Sequence, residues 1–164
     1  MRTPAVQARL AGARHAGLYV TAPPQPNAAS KEIDPQTLPE VVIYDYSADR
    51  WLLVPVDPAT GVVRPFKERD PRIDGQPLIT DVEADEAVEV ALADPAAIDL
   101  SARGFKPLDR PVRVGYLAGV KCETARCVQV FFYSDSADRS VVMQVDLGTR
   151  RVVGIFEEWS ALSR

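Results

Sequence analysis

An α+β fold built from two tandem helix-plus-sheet units is what this sequence predicts, on three observations. The first is a repeat: residues 41–63 (VVIYDYSADRWLLVPVDPATGVV) return 89 positions later, without a gap, at residues 130–152 (VFFYSDSADRSVVMQVDLGTRRV). Val41/Val130, Tyr44/Tyr133, Ser47/Ser136, Ala48/Ala137, Asp49/Asp138, Arg50/Arg139, Val56/Val145, Asp57/Asp146, Thr60/Thr149 and Val63/Val152 coincide, and several mismatches, such as Leu52 for Val141, exchange one apolar residue for another. Self-similarity of this length reads as two copies of one unit. The second is a capping-box spacing, Thr80 followed by Glu83, that opens a run with helical periodicity. The third is a series of β-branched and aromatic stretches between turn signals, the mark of an antiparallel meander. A helix before a sheet buries one sheet face. The units are expected at 1–70 and 71–164.

Taken in order, Thr3 and Pro4 make a helix start, with Thr3 as N-cap and Pro4 where a missing N–H costs nothing. Val6, Leu10 and Ala13 share a face, Gly12 weakens the helix and Gly17 ends it. Residues 17–21 follow as a short strand. Residues 22–39 hold five prolines and are expected as a loop or arm. Strands are expected at 41–46, 51–56 and 62–66, joined by the Ser-Ala-Asp-Arg turn at 47–50 and the Asp57 to Gly61 turn. Residues 67–77 read as the linker. In the second unit Asp81 and Glu83 complement the helix dipole, and Ala84, Ala87, Val88, Ala91 and Leu92 form the apolar face, with Pro95 ending the helix. Residues 96–111 read as connecting structure with room for a short helix or an edge strand. Strands are expected at 112–121, 127–134, 140–146 and 151–156, with Trp159 packed on the sheet.

The chain has 164 residues, 46% apolar and 26% charged, enough for a packed core. A net charge of −4 argues against a partner held through nucleic-acid phosphates. The charge is uneven: Arg2, Arg9, Arg14 and Lys31 precede any acid, while residues 73–100 carry eight acids and no Lys or Arg. Solvated helix faces of opposite sign are the preferred reading over a docking surface. No apolar run has the length of a membrane span. Arg9 and Arg14 interrupt any signal-peptide core, so the chain is either cytoplasmic or begins after a removed signal.

The candidate chemistry is sparse. The duplicated tetrad nominates Ser47, Asp49 and Arg50 with Ser136, Asp138 and Arg139 as a paired binding site; the bland alternative, which we prefer, is a hairpin turn closed by local Ser and Asp hydrogen bonds. Cys122 and Cys127 flank a four-residue turn and are read as a disulfide closing a short loop, which implies an oxidising compartment; two reduced cytoplasmic thiols are the alternative. His15, the one histidine, completes neither a catalytic triad nor a metal set. The acids Asp81, Glu83, Asp85, Glu86 and Glu89 lack the calcium-loop spacing and are expected to be a capped, solvated helix face. Neither glycine-rich phosphate motif occurs. No cofactor, catalytic residue or metal site is nominated.

The helix at 80–93 and the pattern CVQVFFYSDSADRSVVMQVDLGTRRVV together resemble a cystatin-like unit. More narrowly they resemble PepSY-type domains and the two small N-terminal domains of copper amine oxidases, which also occur in tandem; the resemblance covers almost the whole chain. The quinone-forming tyrosine of those oxidases sits in an Asn-Tyr-Asp/Glu context, whereas Ile43 precedes Tyr44-Asp45-Tyr46 here, and one histidine cannot supply their copper site. The resemblance is thus to non-catalytic domains, with Tyr44 and Tyr133 as core residues. It implies regulation of, or docking to, another protein. The expectation is an exported or periplasmic, non-catalytic protein-binding or inhibitory module, with the hairpin tips and residues 22–39 as contact surfaces. The alternatives are a small-molecule carrier or enzyme with a pocket between helix and sheet near Tyr44, Tyr133, Asp135 and His15, and a cytoplasmic protein that dimerises through a sheet edge.

Overall fold

The computed structural model describes residues 4–21, 38–108, 122 and 125–159. The expected Thr3 cap, the strand at 112–121, the side chain of Trp159 and nearly all of the 22–39 arm lie outside them. The chain is α+β and divides into two compact units, Met1–Pro77 and Leu78–Arg164, rather than at 70/71. The later boundary has a local cause. Residues 67–69 pair as a strand with residues 51–53, and Asp70, which caps a short helix, pairs with Arg50 at 3.1 Å. The expected linker is therefore tied to the first unit.

In the first unit, helix α1 (Pro4–Leu10) is followed by strands β1 (His15–Thr21), β2 (Glu40–Asp45), β3 (Arg50–Pro55) and β4 (Lys67–Arg69), then by helix α2 (Pro71–Asp74). The strands form an antiparallel sheet in the order β1-β2-β3-β4. Val6 and Leu10 of α1 pack on Ile43, Leu52 and Val54, which puts the helix on one sheet face. Two expectations are corrected. The helix stops at Leu10 because Gly12 takes the left-handed φ of 73°, which costs glycine nothing; Gly17 instead lies in β1 beside a register shift. The strand expected at 62–66 reduces to a single Val56–Val63 bridge. Pro65 has no N–H for a ladder, and regular pairing resumes only at β4.

In the second unit, helices α3 (Asp81–Leu92) and α4 (Pro95–Ala102) precede strands β5 (Lys106–Pro107), β6 (Cys127–Ser134), β7 (Arg139–Asp146) and β8 (Arg151–Trp159). The sheet is again antiparallel, in the order β5-β6-β7-β8. Thr80 and Glu83 make the expected capping box. Pro95 does more than end α3, since Asp94 caps α4 with Pro95 in its first turn. Helix α3 lies against β6, β7 and β8, and its buried column is Glu83, Ala87 and Ala91. That column is turned from the expected one: Leu92 is exposed. Small residues at four-residue spacing let the helix sit close to β6 and β7, in which Val128, Val130, Phe132, Met143 and Val145 are buried.

Candidate functional site

The duplicated tetrads sit at the tips of the β2–β3 and β6–β7 hairpins, where four residues separate the last pairs Asp45/Arg50 and Ser134/Arg139. Asp49 and Asp138 occupy the same turn position with φ of 51° and 47°, a left-handed conformation that aspartate tolerates better than most side chains. Each carboxylate accepts the hydroxyl of the tyrosine five residues earlier: Tyr44 bonds Asp49 in a short contact, and Tyr133 bonds Asp138 at 3.0 Å. That bond to Asp138 raises the Tyr133 pKa above its usual 10.0. Ser47 accepts the Arg14 N–H at 3.0 Å, while Ser136 and Ser134 share a hydroxyl bond at 3.1 Å. Arg50 donates to the Asp49 carbonyl at 3.0 Å and pairs with Asp70 at 3.1 Å. Arg139 opens β7, half-buried, opposite Ser134. The nominated polar groups are thus largely engaged in shaping their own turns.

The first tip carries an ionic brace. Arg9 from α1 reaches Asp45 at 2.7 Å and grips Glu68 of β4 at 2.9 and 3.1 Å. It ties helix to sheet through a carboxylate that also accepts the N–H groups of Ser47 and Ala48. The Arg9 bond holds the Glu68 carboxyl below its ordinary 4.5. Beside it Asp70, bonded first by Arg72 and attracted by Arg50, falls to about 2.

The second unit holds a buried ion pair that local sequence patterns did not reveal. Arg126 and Glu83 are 1% and 2% exposed. Arg126 bonds both Glu83 oxygens, one at 2.8 Å, and donates to the Leu78 carbonyl at 2.9 Å. Glu83 also accepts the Thr80 N–H at 3.0 Å, so the cap of α3 and the start of β6 are joined through one carboxylate. Next to Arg126, Cys127 pairs with Cys122 at disulfide distance, S–S 1.98 Å. The acidic face expected to be wholly solvated is corrected here: burial of the 83/87/91 column draws Glu83 inside, and Glu86 pairs with Arg150 at 3.1 Å.

The residues nominated for a pocket are divided between the two units. Tyr44 is buried and Tyr133 half-buried in different units, Asp135 is exposed on its turn, and exposed His15 donates through Nδ1 to the Ala13 carbonyl at 2.9 Å. An apolar groove of about 490 Å³ lies elsewhere, lined by Pro4, Ala5, Val6, Val63, Arg64, Pro65 and Phe66. It lies where Pro65, which has no N–H for a ladder, comes beside the first turn of α1. Arg64 supplies its charge: the residue is exposed, and its guanidinium also attracts the Asp57 carboxylate. Sequence reading missed the groove, which joins stretches far apart in the chain. Among the described residues no three His, Cys, Asp or Glu side chains come together as a metal-ligand set, and no helix is long and apolar enough to cross a membrane.

No protein-family model matches this chain, and no characterised protein matches it significantly.

Proposed function

We propose that this chain is a non-catalytic protein-binding module made of two cystatin-like units and working in an oxidising compartment. The groove between α1 and residues 63–66 carries the reading. It is open, apolar and bounded by the exposed guanidinium of Arg64, which suits an extended partner segment with an apolar side chain next to a carboxylate. The Cys122–Cys127 pair supports the compartment, and the similar Tyr–Asp hairpins support the two-unit reading. A peptide library displayed on phage, selected against the full chain, tests the proposal. Ala5→Trp fills the groove from an exposed helical position and Arg64→Glu reverses its charge. Each is expected to weaken a selected apolar-acidic peptide about tenfold, roughly 1.4 kcal/mol, at unchanged melting temperature. Selected peptides indifferent to both changes would sink the reading. The groove volume also lies in the range of small-ligand pockets. A small molecule seen at one-to-one stoichiometry by native mass spectrometry, and expelled by Ala5→Trp, would replace the docking module with a carrier.

A further inference from the structure

We propose that β8 is a self-pairing edge through which two copies of this chain associate about a twofold axis at Gly154. Among the described residues β8 pairs only with β7 and closes one side of its sheet. It is nine residues long, and its exposed positions include Arg151, Glu157 and Ile155, the last 47% exposed. A free strand of this length is a template for another strand.

The occupant follows from the order of residues 151–157, Arg-Val-Val-Gly-Ile-Phe-Glu. Read from either end the stretch runs charge, two apolar residues, glycine, two apolar residues, charge, with the sign reversed. An antiparallel pairing centred on Gly154 sets Arg151 of each copy opposite Glu157 of the other, Val152 opposite Phe156, and Val153 opposite Ile155. Edges protected against self-association carry charges that repel when two copies meet. Here the same operation brings opposite charges together at both ends, and cross-strand pairs of opposite charge attract. The glycine at the axis places no side chains where the strands cross. A register shift separates the Val152 and Gly154 pairings with β7. Arg103 does not hold Glu157 firmly, standing at 4.0 Å. The interface is isologous, as in most symmetric dimers, and joins two four-stranded sheets into one. Seven paired residues make a small contact, so the association is weak, on the order of micromolar. It stands apart from the groove reading, since Arg64 lies in the other unit.

Sedimentation equilibrium of the full chain across the micromolar range tests the proposal. The wild-type chain is expected to dimerise. Glu157→Arg and Arg151→Glu are each expected to weaken the dimer about tenfold, because attraction becomes repulsion at two symmetric positions. The double exchange R151E/E157R is expected to restore it, while R64E leaves it unchanged. Should a single variant fold poorly, amide exchange across residues 152–156 of the wild-type chain is expected to slow as concentration rises. A monomer throughout, a dimer unmoved by either charge reversal, a double exchange that does not recover, or concentration-independent exchange overturns the proposal.

Discussion

Arg126 and Glu83 are each almost without solvent, so each depends on the other for the hydration it has given up. Removing one partner strands the other, and Arg126→Met is expected to cost about 3–5 kcal/mol of folding stability. The double variant Glu83→Gln/Arg126→Met is expected to recover a large part of that loss, because the remaining amide still offers Thr80 an acceptor and no buried charge is left. Urea denaturation of Glu83→Gln, Arg126→Met and the double variant decides: if the losses of the two single variants simply add in the double, the pair is not the unit described here. Neither residue revealed this role locally. Glu83 satisfied the rule for a helix cap, which is ordinarily a surface position, and Arg126 lay in a turn 43 residues away. A hint was present in Ala87 and Ala91, which stack above Glu83 at four-residue spacing. Tyr44 is the core residue expected, whereas Tyr133, at the equivalent strand position, is only half-buried and bonds Asp138 at an exposed tip.

At the scale of elements, local rules worked where they were self-contained. Strand β6 runs over the expected residues 127–134, because turn chemistry bounds it at Asp135, and the capping box formed as its spacing required. Expectations failed where one residue vetoed a pattern. Pro65 cut short a β-branched run at Val62 and Val63, and Gly12 ended α1 before Gly17. The cysteine pair is also local. Cys122 and Cys127 are separated by five positions, so in the chain-entropy view closing so short a loop contributes only about 2 kcal/mol. Reduction is therefore expected to lower stability by no more than that and to leave the sheet folded. Denaturation curves with and without reductant, alongside intact mass after thiol blocking, measure both points. Free labelling of both thiols before reduction in protein isolated from its own cells would remove the support for an oxidising compartment.

Among the described residues, carboxylates are met by arginines more than by lysines: Arg9 with Asp45 and Glu68, Arg50 and Arg72 with Asp70, Arg69 with Asp74, Arg126 with Glu83. The forked guanidinium can bond two oxygens at once, as Arg9 does on Glu68. In the first unit these pairs have a definite consequence for acid stability. Asp70 falls from its ordinary 3.8 to about 2, chiefly through its Arg72 bond, and Glu68 is lowered from 4.5 chiefly through Arg9. A carboxyl depressed by folding takes up its proton first in the unfolded chain. Its stabilising contribution is therefore complete above the unfolded value and is lost as pH falls through the folded one. Stability is expected to be level from neutrality to about pH 5 and to decline from about pH 4.5 toward 2. These pairs are largely exposed, so each contribution is modest and screened by salt. Arg72→Met lifts the main restraint on Asp70, so its folded and unfolded values draw together and the decline between about pH 4.5 and 2 is expected to become shallower. Urea midpoints from pH 7 to pH 2 for the wild-type chain and this variant make the comparison, with amide exchange at Lys67–Arg69 reporting on the first unit. Superimposable profiles would mean that Arg72 does not set the titration of Asp70, and that the acid response arises elsewhere in the chain.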